Sequence, residues 1–345
     1  MIEAVSCFGK RQGWSVEVQA VKEGRQNVLL RCVPAGRVKH RVLLAPHLDT
    51  VGSMDGSDDI FRPRLADGRV WGRGACDTKG SVAAMLVAME RACGGRGRPA
   101  STEVVFAGLA DEESHQWGSR ALVGSGFRAD LGVVGEPTRL AVVTAHKGDV
   151  WGRLRTRGRA AHGACPDRGR SAIREMARAV VLLEGEYAEG LRVRRHALLG
   201  HPTINVGVIR GGTQPNIVPD GCEVEVDRRM LPGETPAGVR REIRQFLKDR
   251  GIRVSFEDVK GVPEPALETD ERLPWVGRFL RAAGRRRGMG VDYFCDAAIL
   301  AAGGTPCVVF GPGDIAQAHT AREWISVASL ERGTEMLTRF LKGLP

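Results

Sequence analysis

Carboxylate and imidazole side chains, which are common ligands of divalent metal ions, stand at or just after the ends of four apolar runs. In chain order they are His47 and Asp49, Glu112 and Glu113, Glu136, and His319. Asp77 adds a carboxylate in the Gly-rich segment GRGACDTKGS, just before a helical pattern. Each has an ordinary explanation alone: a scaffold histidine, a helix cap or the charged first turn of a helix. Together they would repel or desolvate one another unless a cation held them, so we predict a metal site.

The four apolar runs have the length and composition of strands that are buried on both faces. They cover 41–49, 102–113, 130–137 and 305–313, with helical patterns between them at 80–92, from Ser119 and from Pro274. This alternation predicts an α/β fold, a mostly parallel sheet with flanking helices. Because ligands of such sheets gather at the carboxyl ends of the strands, we expect the acids and histidines to meet there.

The middle of the chain has a different pattern. From about Lys147 to Glu257 the order is strand, helix, two alternating strands, helix and strand, which is typical of a ferredoxin-like α+β sandwich. We therefore predict a catalytic domain in two parts, 1–146 and 258–345, with a second domain inserted at 147–257.

Composition limits the classes of partner. The chain has 345 residues, with 51 Lys plus Arg and 41 Asp plus Glu, and a net charge of +10. The cations are scattered and have no interleaved aromatic residues, so we predict no nucleic-acid partner. No apolar stretch suits a membrane span or a signal peptide. The eight cysteines form no C-x-x-C pair, which indicates free thiols and a cytoplasmic protein.

Nine short segments spread over nearly the whole chain carry a family resemblance. They are APHLDTV, GRGACDTKG, DEES, GEPT, AHKG, RAAHGACPDRG, QPNIVPD, DRRMLPGE and FGPGDIAQAHTAREW. With them the chain resembles the metal-dependent aminoacylase and carboxypeptidase family that includes acetylornithine deacetylase and succinyl-diaminopimelate desuccinylase. The resemblance implies a zinc-peptidase-like catalytic domain and an inserted dimerisation domain. It also implies a helix before the first strand, where only twelve residues precede GWSVEVQAV, so we expect a shortened start.

The resemblance implies two zinc ions per subunit, which cobalt can replace. His47, Asp77 and Glu136 would hold one ion; Asp77, Glu113 and His319 would hold the other, with Asp77 bridging. Imidazole and carboxylate are ordinary zinc ligands, and a shared carboxylate suits a pair of metals. Asp49 would orient the His47 imidazole.

Glu112 would be the general base that takes a proton from the attacking water and passes it to the leaving amine. Neighbouring residues at the end of an extended strand point in different directions, so Glu113 can face a metal while Glu112 faces the water. Asp111, the third acid of LADEESHQ, has no chemical role in this scheme and is expected only to orient the turn.

The inserted domain would contribute to the site through the resemblance. His162 would reach the neighbouring subunit's active site and stabilise the oxyanion, which requires a homodimer; the alternative is a loop histidine without a partner. Asn216 and Arg229 resemble substrate contacts, and the Arg229 guanidinium would grip the substrate's α-carboxylate. Arg228 points to the other face of its strand and is expected to be structural. Gly311 would let substrate approach the backbone.

The resemblance favours N²-acetylornithine as the substrate, converted to ornithine and acetate. The lack of an apolar span predicts no membrane partner. Desuccinylation of succinyl-diaminopimelate and deacetylation of acetyl-lysine or acetyl-citrulline remain alternatives, as do carboxypeptidase or dipeptidase activity and a non-catalytic binding role. Asp296 is a candidate contact for a distal ammonium group; a surface or helix-capping acid is the competing interpretation.

Overall fold

The computed structural model describes residues 1–53, 58–94 and 98–345. The chain divides into two compact units. The first comprises Met1–Ala145, Glu268–Gly290 and Cys295–Pro345, and the second comprises His146–Leu267 and Val291–Phe294. The predicted insertion, 147–257, lies within the second unit, which continues to Leu267.

The described residues form short strands and helices throughout both units. The strands are β1 (Ser15–Ala20), β2 (Gln26–Cys32), β3 (His40–Pro46), β4 (Arg64–Ala66), β5 (Arg69–Trp71), β6 (Thr102–Gly108), β7 (Leu131–Gly135), β8 (Val143–His146), β9 (Gly148–Arg157), β10 (Thr203–Gly211), β11 (Gly221–Met230), β12 (Ser255–Asp258), β13 (Leu267–Glu268), β14 (Met289–Val291), β15 (Cys307–Val309) and β16 (Trp324–Ser326). The helices are α1 (Ile2–Arg11), α2 (Lys79–Cys93), α3 (Trp117–Gly124), α4 (Ala172–Leu182), α5 (Ala188–Leu191), α6 (Pro236–Asp249), α7 (Pro274–Ala282), α8 (Ala297–Ala302) and α9 (Val327–Lys342).

A large sheet forms the centre of the first unit, in the order β1-β2-β6-β3-β7-β15-β8-β13, with β14 beside β8. The four middle strands, β6, β3, β7 and β15, run parallel, whereas β1, β2 and β8 pair antiparallel. All residues of β6, β7 and β15 are buried, as their continuous apolar runs predict. The predicted α/β class, with a mostly parallel sheet, is confirmed.

Helices cover this sheet and close its core. Met85 and Met89 of α2 are fully buried in one cluster with Leu337 of α9. The Phe279 ring of α7 stacks edge-on against Phe310 and Phe340, with centroids 5.3 and 5.0 Å away. Burying each such side chain contributes roughly 1.5–3 kcal/mol.

Helix α1 occupies the residues that precede the first strand, and Val5 is 2% exposed in the same core. The helix that the resemblance implies before the first strand is therefore present, and its ten residues form almost three turns.

The second unit contains a four-stranded antiparallel sheet in the order β10-β11-β9-β12. Alternate residues of β9 and β11 are buried, and they pack with α4 and α6 in one core that includes Leu154, Val224, Met176 and Ile243. Both helices therefore cover the same face, in the strand and helix order of a ferredoxin-like sandwich.

Arg228 on β11 is fully buried and its Nη2 lies 2.7 Å from Glu234 Oε1, which is a structural ion pair. All eight cysteines are free thiols. In the described part of the chain, no helix has both the length and the apolar character needed to cross a membrane.

Candidate metal centre

The acids and histidines of the first unit follow neighbouring strands of its sheet. His47 comes directly after β3 and forms a parallel bridge with Leu109 beyond β6, so the strand pairing continues as far as the site. Glu112 and Glu113 follow that bridge, and Glu136 follows β7. Parallel strands that end together bring these side chains to one edge, as the sequence predicts.

The Asp77 carboxylate lies between two imidazoles. Its Oδ1 is 3.1 Å from His47 Nε2, and its Oδ2 is 3.3 Å from His319 Nε2. His319 Nε2 is also 3.0 Å from Glu113 Oε2. One ligand atom from each of His47, Asp77 and Glu113 falls within 4.8 Å of the others. Each oxygen of Asp77 therefore has a different imidazole neighbour.

The hydrogen bond at His47 determines which ring nitrogen can bind a metal. Nδ1 is 3.0 Å from the backbone oxygen of Asp49, so Nδ1 carries the proton and donates to it. Nε2, the nitrogen that would lose its proton to hold a metal, faces Asp77 and Glu136, whose Oε1 is 4.0 Å away. This is the tautomer that a metal-binding histidine needs.

The centre concentrates negative charge in a buried place. Burial and the charge of Glu136 raise the pKa of Glu112 well above its usual range, and burial likewise raises the pKa of Glu136. Hydrogen bonds to Asp77 and Glu113 raise the pKa of His319 to about 10. Glu136 Oε1 is buried and has no hydrogen-bond partner among the described residues. A divalent cation would satisfy this oxygen and offset the clustered carboxylates, so the residues fit a metal site.

Asp49 fixes the two glutamates as well as His47. Its Oδ1 accepts from the backbone N–H of Glu112 and its Oδ2 accepts from that of Glu113, each at 3.2 Å. One half-buried carboxylate therefore links the histidine at the end of β3 with the turn after β6.

Asp111 shapes the same turn from the other side. It is 2% exposed and has φ 68°, a left-handed conformation that an aspartate tolerates. Its carboxylate accepts from the backbone N–H groups of His115 and Trp117 at 3.3 and 3.4 Å, and its Oδ1 is 3.1 Å from Arg25 Nε. These contacts place it as an organiser of the turn, as the sequence interpretation expected.

Glu323 is a site residue that the sequence reasoning missed. Its carboxylate is 1% exposed and accepts four hydrogen bonds: from Arg73 Nη1 at 2.9 Å, and from the backbone N–H groups of Gly74 at 3.0 Å and of Cys76 and Asp77 at 2.9 Å each. It thus holds the loop that presents Asp77. The only sequence signal was its place four residues after His319, in the segment AHTAREW.

Asp296 and Gly311 also belong to the first unit. Asp296 is 1% exposed; its Oδ1 accepts from Ser119 Oγ at 2.5 Å, while its Oδ2 has no partner among the described residues. Burial raises its pKa to about 6. It precedes α8 but makes no capping hydrogen bond, which argues against the helix-capping and surface alternatives. A Cβ on Gly311 would lie 2.5 Å from the backbone oxygen of Glu136, so a side chain at this position would clash with the backbone.

The remaining predicted residues lie in the second unit. His162 and Asn216 stand on adjacent segments, joined by a bridge between His162 and Ile217 and by a 2.7 Å hydrogen bond from Gly163 N to the Asn216 oxygen. His162 is exposed, and its Nδ1 accepts from Ala164 N at 3.1 Å, so in the neutral ring Nε2 carries the proton and can donate.

The Arg229 guanidinium is half-buried on β11. Its Nη2 is 2.8 Å from Asp227 Oδ2 and 3.7 Å from Asp149 Oδ2. These two acids fix the direction of the guanidinium, which leaves further N–H groups available to a ligand.

Comparison with known proteins identifies the family. Residues 43–343 match the model of peptidase family M20/M25/M40. The chain belongs to this family. It is 34% identical to an acetylornithine deacetylase of Myxococcus xanthus, over 95% of this chain and 87% of that protein. It is 29% identical to an acetylornithine deacetylase of Vibrio campbellii, over 98% of this chain and 90% of that protein.

Among solved structures, aminopeptidase PepT from Bacillus cereus superposes with a TM-score of 0.78 and 21% identity, covering 99% of this chain and 91% of that one. That likeness concerns the fold of the family. Together with the sequence relatives, membership of M20/M25/M40 makes this protein a metal-dependent hydrolase that acts on amides.

Proposed function

We propose that the protein is a dinuclear zinc amidohydrolase that converts N²-acetylornithine to ornithine and acetate. The observation that carries the chemistry is the Asp77 carboxylate, with one oxygen 3.1 Å from His47 and the other 3.3 Å from His319. The similarity to acetylornithine deacetylases over nearly the full chain supports the choice of substrate.

In this proposal His47, Asp77 and Glu136 hold one zinc ion, and Asp77, Glu113 and His319 hold the other. Cobalt, which accepts the same ligands, would substitute. When bound, the metal supplies Lewis-acid chemistry, which polarises the amide carbonyl and makes water acidic enough to attack near neutral pH.

Glu112 moves the proton. Its backbone is fixed by Asp49, and burial and the charge of Glu136 raise the pKa of its carboxyl group, so it readily holds a proton. It takes the proton from the attacking water and delivers it to the nitrogen of the leaving amine, which departs neutral. Glu113, the neighbouring residue, points to His319 and serves as a ligand instead.

The substrate contacts extend this scheme. Arg229 and Asn216 receive the α-carboxylate, and the unpaired Oδ2 of Asp296 receives the distal ammonium group of ornithine. Gly311 remains a candidate for close approach to the substrate. His162 donates from Nε2 to the oxyanion that forms in the active site of a partner subunit. We therefore propose that the protein forms a homodimer through its second unit.

A panel of amides tests the substrate. N-acetylornithine, N-acetyl-lysine, N-acetylcitrulline, N-succinyl-diaminopimelate and a dipeptide are compared as kcat/KM, each with zinc and with cobalt. We expect N-acetylornithine to be highest with both metals. Faster turnover of the succinyl substrate would assign a desuccinylase, and faster turnover of the dipeptide would assign a peptidase.

Mixed dimers test whether His162 acts in trans. His162→Asn and Glu112→Gln are each expected to be inactive, and co-expression pairs them. A heterodimer then contains one complete site, with Glu112 from one subunit and His162 from the other. Random pairing restores about a quarter of wild-type activity if His162 acts in trans, and none if it acts within its own subunit.

A further inference from the structure

A cavity of about 520 Å³ in the first unit is lined by none of the residues proposed as metal ligands. Its walls are the 3₁₀ turn Asp58–Phe61, residues of β4 and β5, and the segment 321–323. Gly72, which follows β5, has φ 145°, a backbone conformation that residues with a side chain rarely adopt. The volume is in the range of small-molecule sites, roughly 300–1,000 Å³.

The charge of the cavity is positive. Arg62, Arg64 and Arg322 line it with Asp59 and Glu323. Glu323 is already saturated by four donors, and Asp59 Oδ1 lies 3.6 Å from Arg62 Nη1. Within the described ranges, neither Arg64 nor Arg322 forms an ion pair with a carboxylate. Two guanidinium charges therefore lack a carboxylate partner in the part of the chain that the structure describes.

Trp71 lines the same cavity and lies beside Arg64. The strand pairing places Arg64, Trp71 and Trp324 side by side on one face of the β16-β5-β4 sheet, with the Arg64 Cζ 5.0 Å from the Trp71 ring centroid. Arg64 and Trp71 therefore form one wall of the cavity, with the guanidinium group over the indole ring.

We propose that this cavity binds a small organic anion. Its carboxylate or phosphate oxygens accept hydrogen bonds from the guanidinium groups of Arg64 and Arg322, which can bind either group through two N–H donors. The assignment goes beyond the deacetylase proposal and does not depend on it.

Benzoate and phenyl phosphate are the probes, since both carry the same aromatic ring and they separate the two acidic groups. Each is titrated at constant ionic strength into the full-length protein after chelator dialysis, so that bound metal cannot provide the site. Calorimetry and tryptophan fluorescence measure binding. We expect saturation with at least one probe, and binding about tenfold weaker in Arg322→Gln and in Arg64→Gln, since each change removes a hydrogen bond to a charged group.

Arg332→Gln, at an exposed arginine of α9, is the matched control and should bind as the wild type does. Circular dichroism checks that both variants fold, so that Arg64→Gln remains a test if Arg322→Gln does not. Binding of benzoate alone assigns a carboxylate ligand, and binding of phenyl phosphate alone assigns a phosphate. If neither titration saturates, or if Arg322→Gln binds as tightly as Arg332→Gln, no anion site exists in this cavity.

Discussion

Replacing Glu323 by glutamine should loosen the metal centre without touching a metal ligand. Oε1 of Glu323 accepts from the N–H groups of Cys76 and Asp77, and Oε2 accepts from Arg73 Nη1 and Gly74 N. Glutamine has one oxygen and one NH₂ group in these positions. Two of the four donors therefore face another donor, whichever way the amide is turned.

The magnitude follows from burial. Arg73 and Glu323 are 5% and 1% exposed, so the substitution leaves a buried guanidinium without its counter-charge. Breaking such a pair costs about 3–5 kcal/mol in the free energy of unfolding. Because the Asp77 backbone loses its anchor, we also expect metal affinity to fall by roughly 10–100-fold.

Two measurements check this prediction. Denaturant unfolding followed by tryptophan fluorescence reports mainly on the first unit, which contains five of the six tryptophans. Competition with a chromophoric chelator gives zinc affinity. Glu331→Gln, an exposed glutamate on α9, is the control. The reasoning is refuted if Glu323→Gln matches Glu331→Gln in both unfolding free energy and zinc affinity.

Three other predictions concern the proton carrier, the metals and a buried acid of the second unit. Glu112→Gln should bind metal as the wild type does but lose about 10²–10⁴-fold in kcat; near-normal turnover would remove Glu112 from the mechanism. Chelator dialysis should abolish amide hydrolysis, and zinc or cobalt should each restore it; an active metal-free protein would contradict a metal requirement. Burial raises the pKa of Asp149 to about 8, from an ordinary 3.8. The folded state thus favours the protonated form of Asp149. The contribution of this group to the stability of the fold is complete below about pH 4 and is lost as the pH rises through about 8. Hydrogen exchange of β9 amides in the wild type should therefore accelerate more over this pH range than it does in Asp149→Asn. The control Asp167→Asn, at an exposed acid, should behave like the wild type. An equal pH dependence of exchange in all three proteins would exclude the effect.

The sequence predicted the fold of the first unit because its signals are local. The runs at 102–113 and 130–137 contain nearly continuous apolar residues, and only a strand buried on both faces suits them. Their carboxyl ends are then adjacent by geometry, which is why the acids and histidines could be grouped before any contact was known. Alternating burial along β11 is equally local, and it gives the sandwich pattern of the second unit.

Other features could not be predicted in this way. Glu323 holds the Asp77 backbone across 246 residues of sequence, and Asp49 reaches the Glu113 amide across 64. No periodicity connects such positions. Two further features depend on neighbours from other elements in the same way. They are the absence of a capping hydrogen bond at Asp296 and the packing of Gly311 against Glu136.

The sequence by itself determined which groups stand at the ends of the central strands, and therefore that a metal centre belongs there. The tertiary structure decided which oxygen of Asp77 faces which imidazole, which carboxylates hold the loops, and where Arg64, Trp71 and Arg322 enclose a cavity. The physical reason is that residue type and local spacing determine secondary structure and burial. The direction of a side chain and its partners depends on segments that meet only when the chain has folded.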